Sequence, residues 1–137
     1  MIVRLAEPSE LEALLALRYD VFVIGQDVPA DLEYDANDPS YDHAVALLDG
    51  QVVGTGRLLP EGVIGRMAVA DSVRGQGVGA AVLAVLEEQA RERGLATVEL
   101  HAQVHAVGFY DKAGYTPYGP VYLEAGIEHQ SMRKELT

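Results

Sequence analysis

The sequence predicts a mixed α/β domain, and three observations carry that expectation. Short β-type runs outnumber helical ones. Two amphipathic helical patterns stand apart, one near the start and one past the middle. The segments follow the order β-α-loop-β-β-β-α-β-α-β-β, which is not βαβ alternation throughout. No repeat, low-complexity stretch or linker interrupts the chain, so residues 1–137 are read as one domain.

Taken in order, Ile2 to Leu5 reads as a first strand. Pro8 suits a first helical turn, and Leu11, Leu14, Leu15 and Arg18 follow at helical spacing, so a helix is expected from about Glu7 to Phe22. Gly25 to Tyr41 is acidic and broken by Pro29 and Pro39, which predicts a long loop with at most a helical turn. Asp42–Leu48 and Gln51–Leu59 flank Asp49-Gly50, a strong hairpin signal. The Glu61-Gly62 turn then leads into a buried strand, Val63–Val69. Val82, Leu83, Val85, Leu86 and Ala90 give a helix over Ala80–Arg93 its apolar face, and Gly94 is placed to end it. Thr97 to Ala102 alternates as a half-buried strand should. A short helix over Val104–Lys112 closes at Gly114, and Tyr115–Tyr118 and Gln130–Lys134 are the last two strands.

Composition narrows function. The formal charge of −11 argues against nucleic-acid binding, since phosphate contacts need basic surface. Without cysteine there is no disulfide, thiol nucleophile or thiolate metal site, and no metal is expected. The N-terminus lacks the basic and apolar regions of a signal peptide, and no apolar run is long enough to span a bilayer. A cytoplasmic protein is the expectation.

The most informative stretch is Arg74-Gly75-Gln76-Gly77-Val78-Gly79, which follows a strand and opens a helix. Glycines there let the backbone approach a ligand and leave first-turn N–H groups free for an anion. A pyrophosphate cradle is the leading reading. A P-loop is excluded because Gly79 is followed by Ala80-Ala81 and not by Lys-Ser/Thr. Gly75 to Ala80 fits the loose dinucleotide pattern, with Glu99 near the ribose-binding position, but four residues and Arg74 separate the glycines from the strand and too little chain follows. The third reading is the signature Q/R-x-x-G-x-G/A, met by Arg74, Gly77 and Gly79.

With Ile64-Gly65-Arg66-Met67-Ala68-Val69 before it, this stretch resembles the strand–loop–helix of the GNAT N-acetyltransferases. Gly108-Phe109-Tyr110-Asp111-Lys112-Ala113-Gly114-Tyr115 resembles that superfamily's F-Y-x-x-x-G-F element. Leu17 to Gln26, Asp35, Asp38, His43, Arg57-Leu58-Leu59, Ala102-Gln103 and Glu124 to His129 with Met132 resemble its ElaA-like branch of small bacterial enzymes. The resemblance implies a central, mostly antiparallel twisted sheet of six to seven strands flanked by about four helices. Two positions depart from common patterns. Gly25 stands where the branch usually has Glu, which touches any acceptor role of that helix end. Gln103 stands where most of the superfamily has Asn, and its amide keeps both donor and acceptor.

The resemblance further implies acetyl transfer from acetyl-CoA to a primary amine by direct attack in a ternary complex. The backbone of Met67, Ala68 and Val69 would pair with the pantetheine arm. Arg74 and the N–H groups of Gly75, Gln76, Gly77, Val78, Gly79 and Ala80 would hold the pyrophosphate. Gln103, Phe109 and Tyr110 complete the expected cofactor set. Tyr110 is the expected general acid, because a phenol and a departing alkyl thiolate titrate in nearly the same range. For the base, Glu99, His101, His129 and, less favoured, His43 compete with a water chain. His129 is the candidate taken forward, as imidazole accepts protons near neutral pH. The acceptor is expected to be a small-molecule amine, and the protein a monomer or homodimer. An acyl-CoA-binding sensor without catalysis and a protein lysine or N-terminal acetyltransferase are the alternatives.

Overall fold

The computed structural model describes residues 1–136. Eight strands form one sheet: β1 (Ile2–Leu5), β2 (Asp42–Leu48), β3 (Gln51–Leu58), β4 (Val63–Val69), β5 (Thr97–Gln103), β6 (Thr116–Pro117), β7 (Tyr122–Glu124) and β8 (Ile127–Glu135). Their order is β1-β2-β3-β4-β5-β8-β6, with β7 paired to β8. Every pairing is antiparallel except β4 with β5. Four α-helices accompany the sheet: α1 (Leu11–Arg18), α2 (Ala30–Glu33), α3 (Val78–Glu92) and α4 (Val107–Lys112). Among the described residues, no helix is long and apolar enough to cross a membrane.

The core lies between α3 and the sheet. Val78, Val82, Leu86 and Ala90 recur at four-residue spacing on one face of α3 and are buried with Leu83. Close approach there depends on Gly56 of β3. A Cβ at Gly56 would stand 2.5 Å from Met67 Sδ and 2.9 Å from Leu86 Cδ1, so only glycine fits. At the other end of the helix the Leu95 N–H returns to Ala90 O at 3.0 Å, the bond of a glycine-terminated helix, with Gly94 at φ +77°. The Asp49-Gly50 turn has both residues at positive φ, as a tight hairpin between right-twisted strands requires.

The structure redraws several boundaries. The first helix is not uniform from Glu7 to Phe22. A 3₁₀ turn at Pro8–Glu10 precedes α1, and a π-helical segment, Tyr19–Ile24, follows it. The Gly25 N–H bonds back to Asp20 O, and helical backbone continues through Gln26, four residues further than the spacing suggests. Helix α3 begins at Val78, two residues before Ala80. The strand count is eight, not six to seven. The added strand, β7, pairs with β8 across Ala125-Gly126, both at positive φ. That dipeptide lacks the Asn or Asp that ordinarily marks such a turn. The expected strand at Tyr115–Tyr118 shrinks to Thr116–Pro117, while that at Gln130–Lys134 lengthens to Ile127–Glu135.

Candidate active site

The site begins with a miscount between two strands. Thr55 of β3 faces Ala68 of β4, and Arg57 faces Gly65, so Arg66 and Met67 together oppose Gly56. This is a β-bulge, and its left-handed residue is Arg66 at φ +50°. The bulge bends β4 away from its other neighbour. Pairing with β5 stops after Val63↔Glu99 and Ile64↔Leu100, and beyond that point the edge of β4 facing β5 has no strand partner. The two parallel strands part like a V, and a cleft of about 900 Å³ opens between them.

Met67, Ala68, Val69, Arg74, Gln103, Tyr110 and His129, all singled out from the sequence, line this one cleft. The glycine loop lies beside it at the mouth of α3. Gly77 caps the helix at φ +81°, and a Cβ on Gly75 or Gly77 would meet nothing within 4 Å. The loop backbone of Gly75, Gln76 and Gly77 is therefore open to solvent, with Ala80 exposed on the first turn. Val78 turns its side chain into the core instead. Gly79 is less open, because a Cβ there would stand 3.4 Å from the Phe109 ring. Phe109 thus packs on the first turn of α3 and meets the Tyr110 ring edge-on at 5.0 Å. Arg74 is tethered at both ends, its Nε donating to Val69 O at 3.1 Å and its Nη1 pairing with Asp71 at 2.6 Å.

Tyr110 is buried on α4, and its hydroxyl makes no side-chain hydrogen bond among the described residues. Burial alone pushes its pKa up to about 12, which keeps the phenol protonated. His129 is buried on β8 and stacks on Tyr122. Its Nδ1 lies 2.7 Å from Ile127 O, a bond only an N–H can make, so in the neutral ring Nε2 is left as an acceptor, 3.6 Å from Glu124. The other base candidates are engaged elsewhere. Glu99 accepts from Tyr118, on the β6 side of the sheet. His101 Nδ1 is hydrogen-bonded to the Tyr122 hydroxyl at 2.6 Å. His43 donates Nε2–H to Asp38 O at 2.8 Å, and burial lowers its pKa. His101 and His105, four apart in sequence, sit on β5 and in the turn after it. His105 bonds Gln103 at 2.7 Å, so the two rings serve separate partners.

The far end of the cleft rests on an ion network whose members the sequence scatters. Arg18, buried at the end of α1, grips both oxygens of Asp38 at 3.0 Å and Glu33 Oε1 at 2.6 Å. Arg57 adds a 2.9 Å bond to Asp38 and stacks its guanidinium over Tyr41. Burial alone would lower Arg18 and raise Asp38, but their mutual hydrogen bonds outweigh it, so Arg18 is raised and Asp38 lowered. The network pins the acidic loop against the sheet. Val21, Phe22 and Gln26 from the first helical stretch, Val28, Leu32 and Glu33 from that loop, and Glu124 and Ile127 from the C-terminal hairpin then wall the cleft. Glu33 and Arg66 carried no role in the sequence reading. An arginine inside an otherwise apolar strand was the available signal for Arg66.

Comparison with known proteins places this geometry among others. Residues 8–136 match the model of the acetyltransferase (GNAT) domain. The chain is 35% identical to the uncharacterised N-acetyltransferase YjcF of Bacillus subtilis over 93% of this chain and 94% of that protein. The crystal structure of Escherichia coli ElaA superposes with a TM-score of 0.87 at 32% identity, covering 98% of this chain and 100% of that one. At 16% identity, yncA of Salmonella typhimurium shares the fold, with a TM-score of 0.81 over 100% of this chain and 94% of that one. That protein was solved with its cofactor acetyl-CoA.

Proposed function

Because the chain belongs to the GNAT acetyltransferase family, we propose that it transfers an acetyl group from acetyl-CoA to a primary amine of a small molecule, by direct attack within a ternary complex. The observation that carries this reading is the parting of β4 from β5. It leaves a strand edge free along a cleft that also holds Tyr110 and His129.

The residues present fit acetyl-CoA. The edge of Met67 to Val69, which has no strand partner toward β5, offers backbone groups to an extended amide-bearing arm, as an added strand would find them, with Val69 O already accepting from Arg74. The open loop Gly75–Gly77 and the first turn of α3 offer N–H groups to a pyrophosphate. Acetyl-CoA supplies the acyl group as a thioester, a carbonyl activated toward amines.

Each proton then has a named place. His129 Nε2 accepts the proton the amine gives up as the C–N bond forms. Tyr110 gives its hydroxyl proton to the sulfur as the C–S bond breaks. The elevated phenol pKa makes Tyr110 a weaker acid than a free tyrosine. A thiolate emerging into the same dry cleft is raised by the same burial, so the transfer stays matched. The closed ion network at Arg18 gives the acceptor end a fixed shape in which to hold the amine.

A coupled CoA-release screen over polyamines, aminosugars, amino acids and peptides tests the proposal. Turnover with a small amine supports it. Tight CoA binding without turnover on any amine would overturn it in favour of a sensor, and turnover confined to peptides would favour a protein modifier.

A further inference from the structure

We propose that the acceptor is an amine that also carries a carboxylate, bound with the carboxylate on Arg57 and Arg66 and the amino group toward His129. The inference rests on the acetyl-transfer reading and names the substrate class for the same cleft.

The two arginines come from adjoining strands at the bulge, where Arg57 faces Gly65 and Arg66 follows it. Both line the cleft. Arg57 is 7% exposed. It spends Nη1 on Asp38, with Asp35 at 3.6 Å, while its buried Nε has no partner among the described residues. Its Nη2 makes no hydrogen bond among the described residues. Arg66 makes more hydrogen bonds than Arg57 but has no carboxylate within hydrogen-bonding distance among the described residues. Its Nε and Nη2 donate to two neutral carbonyls, Glu33 O at 3.3 Å and Leu32 O at 3.1 Å. The nearest carboxylate oxygen, Glu33 Oε1, lies at 3.8 Å and is already held by Arg18 at 2.6 Å. Nη1 of Arg66 also makes no hydrogen bond among the described residues. Burial, then the neighbouring charges of Arg57 and Arg18, lower the Arg66 pKa, as expected for a cation short of a counter-ion.

Backbone strain points the same way. The left-handed position of the bulge is occupied by Arg66, although Gly65 stands beside it and would adopt that conformation without penalty. The strain serves to aim an arginine. In a chain of net charge −11, three arginines line one cleft. Arg74 lies by the glycine loop, while Arg57 and Arg66 share the bulge, and the C-terminal hairpin carries Glu124 and the Nε2 acceptor of His129. A purely cationic amine would set its charge against the arginines. A molecule with a carboxylate at one end and an amine at the other matches both the bulge and the hairpin, and the planar carboxylate fits the forked N–H edge of a guanidinium.

The test titrates the CoA-saturated protein with N-acetylamino acids of several side-chain classes and with their matching carboxamides. At least one acid should bind about tenfold or more tightly than its amide, the scale of a charge-assisted bidentate contact. Arg66→Gln should reduce that preference to about twofold, and Arg66→Lys, which keeps charge and much of the side-chain volume, should fall between. Amides that bind as well as the acids, or a panel in which no acid binds, would overturn the inference. The parent protein's acid-to-amide ratio decides this even if a variant fails to fold. CoA release with the free amines, measured on the same samples, separates the two readings. Acid binding without turnover would sink acetyl transfer and keep the anion site, whereas turnover only on amines lacking a carboxylate would do the reverse.

Discussion

Gln26 and Gln103, 77 residues apart, exchange two amide hydrogen bonds, one of 2.8 Å and one of 3.2 Å, across the top of the cleft. The pair ties the end of the first helical stretch to the tip of β5, and Gln103 at the same time receives His105. A partly buried reciprocal amide pair should couple by about 1 kcal/mol. A double-mutant cycle with Gln26→Ala and Gln103→Ala, read by urea unfolding, checks this. Additive effects would show that the two side chains act separately.

Tyr110→Phe keeps the ring and its edge contacts with Phe109 and Tyr115. Stability and CoA affinity should move by under about 1 kcal/mol, because no protein hydrogen bond is lost. The change should fall on kcat, by roughly 10²-fold or more, and shrink with a thioester whose thiol is more acidic. Parent kcat should also show no loss assignable to Tyr110 through pH 10, where a free tyrosine titrates, since the buried group holds its proton to about pH 12. A Phe variant with full kcat would make Tyr110 a packed aromatic only.

The glycine loop offers an internal control. Gly77→Val and Gly79→Val should both weaken CoA binding, but for different reasons. At Gly77 the left-handed backbone is strained by any side chain, at a cost of roughly 1–2 kcal/mol. At Gly79 the new side chain presses on the Phe109 ring. Double substitution of Gly79→Val with Phe109→Ala should therefore recover more stability than affinity. Calorimetry showing parental CoA affinity in a folded Gly77→Val protein would place the phosphates elsewhere.

Removing Arg18 should be severe. Arg18→Met leaves Asp38 and Glu33 buried without their main donor, which costs about 3–5 kcal/mol when one partner of a buried pair is lost. Chemical denaturation measures it. A loss below about 1 kcal/mol would mean that the acidic loop holds its place without the network.

His43 gives the pH dependence. Its pKa is lowered by burial in the folded state, so folding favours the neutral ring. Stability from this group is whole above the ordinary histidine value of 6.5 and is lost as pH falls below it, because the unfolded chain takes up the proton first. Asp38, also lowered, adds a second loss below 3.8. The urea midpoint of the parent should fall between pH 7 and pH 5, and His43→Asn should flatten that fall. An unchanged slope would place the effect on other groups.

Strand β4 was legible in the sequence to the residue, because an apolar run between a Glu61-Gly62 turn and a polar turn has few other readings. The glycine loop and Tyr110 were legible because each sits in a local pattern. What could not be read depends on partners distant in the chain. The bulge at Arg66 exists only in relation to Gly56 on the facing strand, and no count along β4 alone reveals it. Glu33 looked like one more acid in an acidic loop until Arg18 closed on it. The hairpin of β7 and β8 was hidden by an Ala125-Gly126 turn that carries a weak signal.

The parting of β4 and β5 also has a mechanical side. Among the described residues, only two ladder pairs, Val63↔Glu99 and Ile64↔Leu100, join the half-sheet β1–β4 to the half-sheet built on β5 and β8. Along the strand ladder such a sheet is two leaves on a short spine, and what holds the leaves together beyond it is the core beneath α3, which takes side chains from both, and the Gln26–Gln103 pair. Amide exchange should then be slow within each leaf and at the spine. It should quicken along the free margin of β4 from Met67 to Val69, and a molecule filling the gap would act as the missing stitch.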